Sequence, residues 1–334
     1  MNKKPHILQV PPSAVVEHYS EPVKFANDQL EVFWLPDEIK VEKDIQDILV
    51  NMTPAEKHGV MTVLKLFTLY ELKAGSEYWN GKFTRIFKRP EFRRMASVFS
   101  MFELAVHAPF YRKLNEELHV DNDEFYLEYI NDPVLKERME FIDGVVSSKN
   151  DLYSLAAFSM VEGAILYSSF AYLKHFQSQG KNKLLNVVRG INFSVRDENI
   201  HSIAGAWCFK ALKEQTELSM EEEAELQNIV FDTAMTIHEH ESHIVSKIFE
   251  QGHIDGITSK QLQHFVDSRI NVCMEQLGYG KIFDVKYNPV GDWFYRGISN
   301  FSFNDFFSGV GNNYSRAWNE DDFEFKTYNK DSSK

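Results

Sequence analysis

The sequence predicts an all-α fold, a bundle of long helices built around a pair of metal ions. Three observations lead there. From Thr53 to Tyr279, apolar residues recur at three- and four-residue steps almost without pause. Strand patterning is nearly absent, with one short alternating run near residues 284–288. Finally, two carboxylate–histidine pairs at helical spacing, Glu103 with His107 and Glu198 with His201, are joined by two acids on otherwise apolar stretches, Glu71 and Glu162. Four Glu and two His projecting inward from four helices are the ligands with which a bundle cages two metals.

The elements follow in order. Residues 1–35 carry several prolines and little helical period, so residues 1–30 are expected to form an extended arm laid over a helical domain of residues 31–314. At Val32–Ile39 the chain turns into a helix, where Pro36 and the acids after it suit a first turn. Thr53-Pro54-Ala55-Glu56 reads as a cap with proline at the first helical position of a helix reaching residue 80. Arg89-Pro90 is a break, and the period restarts over 91–117. Asp132-Pro133 opens a helix over 133–147, and Asn150-Asp151 caps a strongly apolar one over 152–177 that Gly180 stops. Helices over 182–213, 220–250 and 259–279 complete the bundle, the last capped by Thr258 or Ser259. The Gly/Asn/Ser/Phe-rich stretch 297–313 leaves the helical pattern, and the acidic, aromatic residues 315–334 are expected to be a flexible tail. No repeat of fixed period is present.

Composition narrows the classes. With 334 residues, 43% of them hydrophobic, the chain can bury a large core. Its 27 Phe serve either as bulky filling between helices or as a dry lining around a reactive centre. A net charge of −13 argues against nucleic-acid binding. Two cysteines far apart, Cys208 and Cys273, exclude a disulfide scaffold and a zinc ribbon, and point to a reducing compartment. The N-terminus lacks a signal-peptide core, and no run of about eighteen apolar residues is present. The expectation is a soluble cytoplasmic protein that binds neither nucleic acid nor membrane.

On a helix, residues three or four apart share a face, so each Glu–His pair points one way. Carboxylate plus imidazole suits iron or manganese rather than zinc–thiolate chemistry. Two iron ions are the first expectation, with manganese–iron or dimanganese as alternatives. Two metals need bridging carboxylates, and Glu71 and Glu162 complete the set. Any one of these acids alone would read as a buried carboxylate paired with Arg or Lys; six groups on four helices favour the metal. Tyr111, four residues after His107, faces the same site. Without those neighbours it would be a core tyrosine; beside a dimetal centre it is a phenol that can be oxidised to a radical. His238-Glu239-His240-Glu241-Ser242-His243 is dense in ligand types but misses the zinc-protease spacing at Ser242, and reads as a solvated helix face.

These residues carry a resemblance. Arg196-Asp197-Glu198-Asn199-Ile200-His201 resembles the Arg-Asp-Glu-x-x-His signature of the class I ribonucleotide reductase small subunit. Phe33-Trp34-Leu35-Pro36-Asp37-Glu38-Ile39 is similar to that family's N-terminal Trp segment, and Glu103 to Tyr111 to its second metal helix with the radical tyrosine. The likeness runs from about residue 30 to about 315. It implies a ferritin-like helical homodimer. A dimetal centre would react with oxygen and leave an oxidising equivalent on Tyr111. A separate large subunit would use that equivalent to reduce ribonucleotides to deoxyribonucleotides. The family's path from the tyrosine would run through His107, Asp197 and Trp34. A tail tyrosine, Tyr328 with Tyr314 as second choice, would relay it between subunits. A flavoprotein activator is a further partner that the resemblance leaves open.

Three departures stand out. The family spaces its first Glu and His by three residues, whereas Glu103 and His107 are four apart; a one-residue bulge, helped by Pro109, would reconcile them. Glu71 stands where Asp is usual. A Glu there also occurs in the manganese–iron branch, but that branch replaces the radical tyrosine with Phe, and Tyr111 is retained. Leu166 and Ser194 occupy pocket positions that are often Phe and Ile, while Phe170 keeps the usual bulk; the pocket beside Tyr111 is expected to be more polar or wetter. That motivates an alternative, a ferritin-like dimetal oxidase acting on a small organic substrate. A metal-storage or structural bundle is a third reading.

Overall fold

In the computed structural model, residues 4–295 are described. The chain divides into two units, Met1–Phe294 and Tyr295–Lys334. Tyr295 is the one described residue of the second; the stretch 297–313, the tail 315–334, Tyr314 and Tyr328 lie outside the described residues.

The first unit is helical, and among the described residues there is no strand; the run near 284–288 has no regular structure. Helix α1 (Ser20–Glu31) lies inside the segment read as an extended arm. Its buried face is only Pro22, Ala26 and Gln29, too thin a pattern to register as helical period. It forms because it packs on α4 (Pro90–Phe102). The buried Glu91 at the start of α4 holds the incoming chain, accepting from the backbone of His18 at 3.1 Å and Tyr19 at 3.3 Å. After Pro36 the chain makes a short 3₁₀ turn, Pro36–Glu38, rather than the expected helix.

Several helices start at the caps that the sequence offers. Thr53 and Glu56 form a reciprocal capping box that starts α2 (Pro54–Leu72). The short α3 (Thr84–Ile86) precedes α4, α5 (Ala108–Glu117) follows it, and a short α6 (Asp123–Leu127) was not foreseen. Asp132 caps α7 (Pro133–Ser147) and Asn150 caps α8 (Asp151–Ala164). The apolar stretch read as one helix to 177 is broken: Leu166 takes φ +73°, and α9 (Tyr167–Lys174) begins after it. Then come α10 (Leu185–Lys213), α11 (Met220–Ile248) and α12 (Ser259–Leu277), the last with a capping box from Thr258 and Gln261. Packing of α8 on α10 is the most extensive helix pair, and α12 and α11 close over α8. Among the described residues, Asp151–Gln177 is long and apolar enough to cross a membrane, but its apolar window is wholly buried in the protein.

Among the described residues three segments are wound wider than α, a turn at Asp47–Asn51 and two that extend long helices. The chain continues from α2 as a π-helix over Lys73–Phe83, and from α4 as a π-turn over Glu103–His107. The second is the bulge that the four-residue spacing required. The Ala108 N–H reaches back to the Glu103 carbonyl, a five-residue bond. Pro109, with no N–H, prevents the usual register from resuming at once.

Candidate metal centre

Four segments bring the six expected residues together in the core. The end of α2 carries Glu71, the π-turn carries Glu103 and His107, α8 carries Glu162, and α10 carries Glu198 and His201. Ligand atoms of Glu71, Glu103, His107 and Glu198 lie within 4.8 Å of one another, and so do those of Glu103, Glu162, Glu198 and His201. The two groups share Glu103 and Glu198. Glu103 turns one oxygen to each imidazole, Oε2 at 3.1 Å from His107 Nδ1 and Oε1 at 2.7 Å from His201 Nδ1. Glu198 does the same at 3.2 and 3.4 Å. Glu71 stands at the His107 end, 3.7 Å away, and Glu162 at the His201 end, 3.9 Å away. Glu103 and Glu198 thus lie between the two imidazoles, with Glu71 and Glu162 outermost.

All six are buried. Four carboxylates face two imidazoles, so even protonated histidines would leave two negative charges uncompensated in a low-dielectric core. Without cations the cluster meets this by sharing protons. Burial, then the Glu103 charge, pushes Glu71 well above the usual carboxylate range; burial, then Glu198, does the same to Glu162. Burial also acts on Glu103 to raise it, but the His107 and His201 charges hold it well below that range. Burial opposes charge on the imidazoles too, yet Glu103 drives His107 well above normal and His201 up to about 9. The upward shifts of Glu71, Glu162 and both imidazoles reduce the net negative charge of the set. Glu71 Oε1, Glu103 Oε1, both Glu198 oxygens and His201 Nδ1 still make no well-aligned hydrogen bond, even where they form the close ion-pair contacts given above. Two divalent cations would neutralise four carboxylates and engage those atoms, so the residues fit a dimetal centre.

The surroundings of the cluster continue the pattern. The Trp34 indole N–H donates to Asp197 Oδ2 at 2.8 Å, and the same oxygen is 3.1 Å from His107 Nε2. This partner fixes the His107 ring with Nδ1 facing the carboxylates. Tyr111 is fully buried, its ring flat against Phe67 at 4.5 Å, with Phe170 stacked on Phe67 at 5.4 Å. Its hydroxyl has no hydrogen-bond partner, and neither has the buried Ser194 hydroxyl, although Ser194 is close enough to ease the phenol's ionisation. Burial, then the Glu71 charge, holds the Tyr111 pKa far above normal. Ser194 is thus one polar group in an aromatic pocket. Leu166 lines a cavity of about 20 Å³ touching Glu71, Glu162 and Glu198.

The family model for the ribonucleotide reductase small chain matches residues 16–289. The chain belongs to that family. Among curated relatives, the ribonucleoside-diphosphate reductase subunit beta of Bacillus subtilis is 27% identical over 326 residues, covering 90% of this chain and 92% of the relative. The corresponding subunit of Bacillus phage SPbeta is 25% identical, covering 88% of each. Among solved structures, the dimanganese(II) NrdF of Streptococcus sanguinis superposes with a TM-score of 0.75 at 22% identity, over 85% of this chain and 97% of that one. The ribonucleotide reductase R2 subunit of Clostridium botulinum gives 0.75 at 20% identity, over 88% and 94%. The helical bundle is the fold that these small chains share.

Some residues of this small chain's site escaped the sequence reading. Trp79, on the π-helix after α2, donates its N–H to Glu162 at 2.8 Å and sets its ring edge-on to His201 at 5.9 Å. Its register could not be read while 54–80 was taken as one α-helix. Gly75 sits where a Cβ would come within 2.9 Å of Glu103 and 2.6 Å of Leu104, so it allows the two wide-wound segments to touch. The His/Glu-rich run of α11 is only half solvated: His240 and Glu241 are buried, which corrects the reading of that face. Glu241 is paired with Arg138 at 2.6 Å.

Proposed function

We propose that this chain is the radical-generating subunit of a cytoplasmic ribonucleoside-diphosphate reductase, storing an oxidising equivalent on Tyr111 for use by a separate large subunit. The observation that carries the reading is the run from the cluster outward, His107 to Asp197 to Trp34, with a buried unpartnered phenol four residues past His107. Glu71, Glu103, His107, Glu162, Glu198 and His201 would hold two iron ions, and manganese accepts the same donors. When bound, such a pair supplies redox chemistry with oxygen and the capacity to take an electron from a nearby phenol.

The chain's own residues do the rest. Tyr111 keeps its proton at neutral pH, so it gives up the proton only together with an electron. Phe67 and Phe110 pack against the ring, with Phe170 stacked on Phe67 behind it, and keep water and reductants away. Asp197 accepts from both Trp34 and His107, which keeps donor and acceptor in contact along the outward path. Tyr328 on the tail is the proposed relay to the large subunit. A homodimer is proposed, and activation by a flavoprotein is compatible with the reading. The oxidase alternative needs a substrate-sized cavity. The void touching the carboxylates, about 20 Å³, has room for one water and not for an organic substrate.

The test is electron paramagnetic resonance after loading with Fe(II) and exposure to oxygen. A tyrosyl signal is expected, absent in Tyr111→Phe. A full metal complement with no radical, and no reductase activity when a large subunit is supplied, would overturn the proposal. Removing residues 315–334 should abolish large-subunit binding while leaving the radical; an oxidase would keep its activity.

A further inference from the structure

We infer that the buried ion pair Arg138–Glu241 is a positioning device for the two outermost carboxylates, Glu71 and Glu162, although neither residue belongs to the cluster. The inference rests on the metal-centre reading. Arg138 on α7 is 1% exposed and Glu241 on α11 is 0% exposed, with the guanidinium 2.6 Å from the Glu241 carboxylate.

Each member of the pair holds the chain beside one carboxylate. Arg138 Nε donates to the Tyr70 hydroxyl, and its guanidinium lies 5.2 Å from the Tyr70 ring centre. Tyr70 directly precedes Glu71, so this grip sets the end of α2. Glu241 Oε2 accepts the Ser168 N–H at 3.1 Å. Ser168 lies in the first turn of α9, just past the break that ends α8 shortly after Glu162. A break inside a buried helix orphans carbonyls on one side and N–H groups on the other. Here Arg269 serves the first side, donating twice to the Gly163 carbonyl at 3.1 and 2.9 Å. Glu241 serves the second, where a negative charge also suits the start of α9. Leu166 between them holds a left-handed conformation that a branched side chain adopts at a cost and that its surroundings must enforce.

Packing alone does not lock these carboxylates. The cavity of about 20 Å³ borders Glu71 and Glu162 and is lined by Tyr70, Ile165 and Leu166, which belong to the two held segments. A buried ion pair contributes little to stability compared with an apolar pair of the same volume. Its effect here is geometric: one rigid link fixes the spacing between the α2 end and the α8–α9 break, and so between the two ends of the cluster.

The full-length apoprotein titrated with Co(II), followed by visible absorption, tests this. The parent should take up two Co(II). Replacing the pair by apolar residues, Arg138→Met with Glu241→Leu, leaves no unpaired charge; it should weaken Co(II) binding roughly tenfold and change the absorption envelope. Glu241→Gln, nearly isosteric and still able to accept from Ser168, should shift the spectrum in the same direction by less. A folded double variant with parent-like affinity and spectrum overturns the inference, even if its melting temperature changes. Should the double variant not fold, a parent-like spectrum in Glu241→Gln overturns it equally. A parent that takes up no Co(II) sinks the metal-centre reading itself, a distinct outcome.

Discussion

Trp34 and His107 meet at a single oxygen: Asp197 Oδ2 accepts the indole N–H at 2.8 Å and lies 3.1 Å from His107 Nε2, with the two rings stacked 6.0 Å apart. Trp34→Phe removes the indole donor without touching a carboxylate of the cluster. Metal uptake and the Tyr111 radical should survive, while ribonucleotide reduction with the large subunit falls at least about 100-fold. Asp197→Ala also frees the His107 ring and should lower metal affinity roughly 10–100-fold. Comparing radical yield with turnover separates the two, and a Trp34→Phe protein with parent-like turnover would remove Trp34 from the path.

Metal binding should release protons. Without cations the upward shifts of Glu71, Glu162 and both imidazoles favour bound protons, His201 up to about 9. Below that pH a cation must displace the His201 proton, so affinity should rise with pH at least to about 9. Calorimetry in buffers of different ionisation enthalpy measures the protons released; none released at pH 7 would contradict the assigned protonation.

Gly75→Ala places a methyl group against Glu103 Cβ and the Leu104 side chain. The two wide-wound segments must then separate, at a cost of about 1–3 kcal/mol. Because Glu103 lies between the two halves of the cluster, metal affinity should drop alongside the denaturation midpoint of the apoprotein. A stability loss with unchanged metal affinity would show that the contact only packs.

His175 is fully buried, and burial depresses its pKa from 6.5 to about 4. Between those values the unfolded chain binds a proton that the folded one does not. Stability is therefore complete above pH 6.5 and is lost as pH falls toward 4, on the order of 2–3 kcal/mol. Denaturant unfolding of the apoprotein across that window should show the decline, and His175→Gln should make it shallower, leaving the share of His240, which burial also lowers to about 4.

The helices, their caps and the six cluster residues were legible in the sequence because each signal is local. A capping box such as Thr53 with Glu56 spans one turn, and Glu198 with His201 shares a face by spacing alone. The π-turn at Glu103–His107 was also legible, as a spacing one residue too long beside Pro109. Other features depended on partners far away in the chain. Helix α1 has too few apolar residues to declare itself and exists through α4. The His/Glu run of α11 looked solvated because the burial of Glu241 depends on Arg138, about a hundred residues earlier.

By itself, then, the sequence determined the bundle and the identity of the groups that converge in it, since helical period and ligand type are properties of short windows. Tertiary structure alone decided that Glu103 and Glu198 lie between both imidazoles, available for bridging, and what braces the cluster, through Trp79 at Glu162, Gly75 against Glu103 and the Arg138–Glu241 pair. The physical reason is that bridging and bracing are distances between helices, set by packing and by the desolvation of charge.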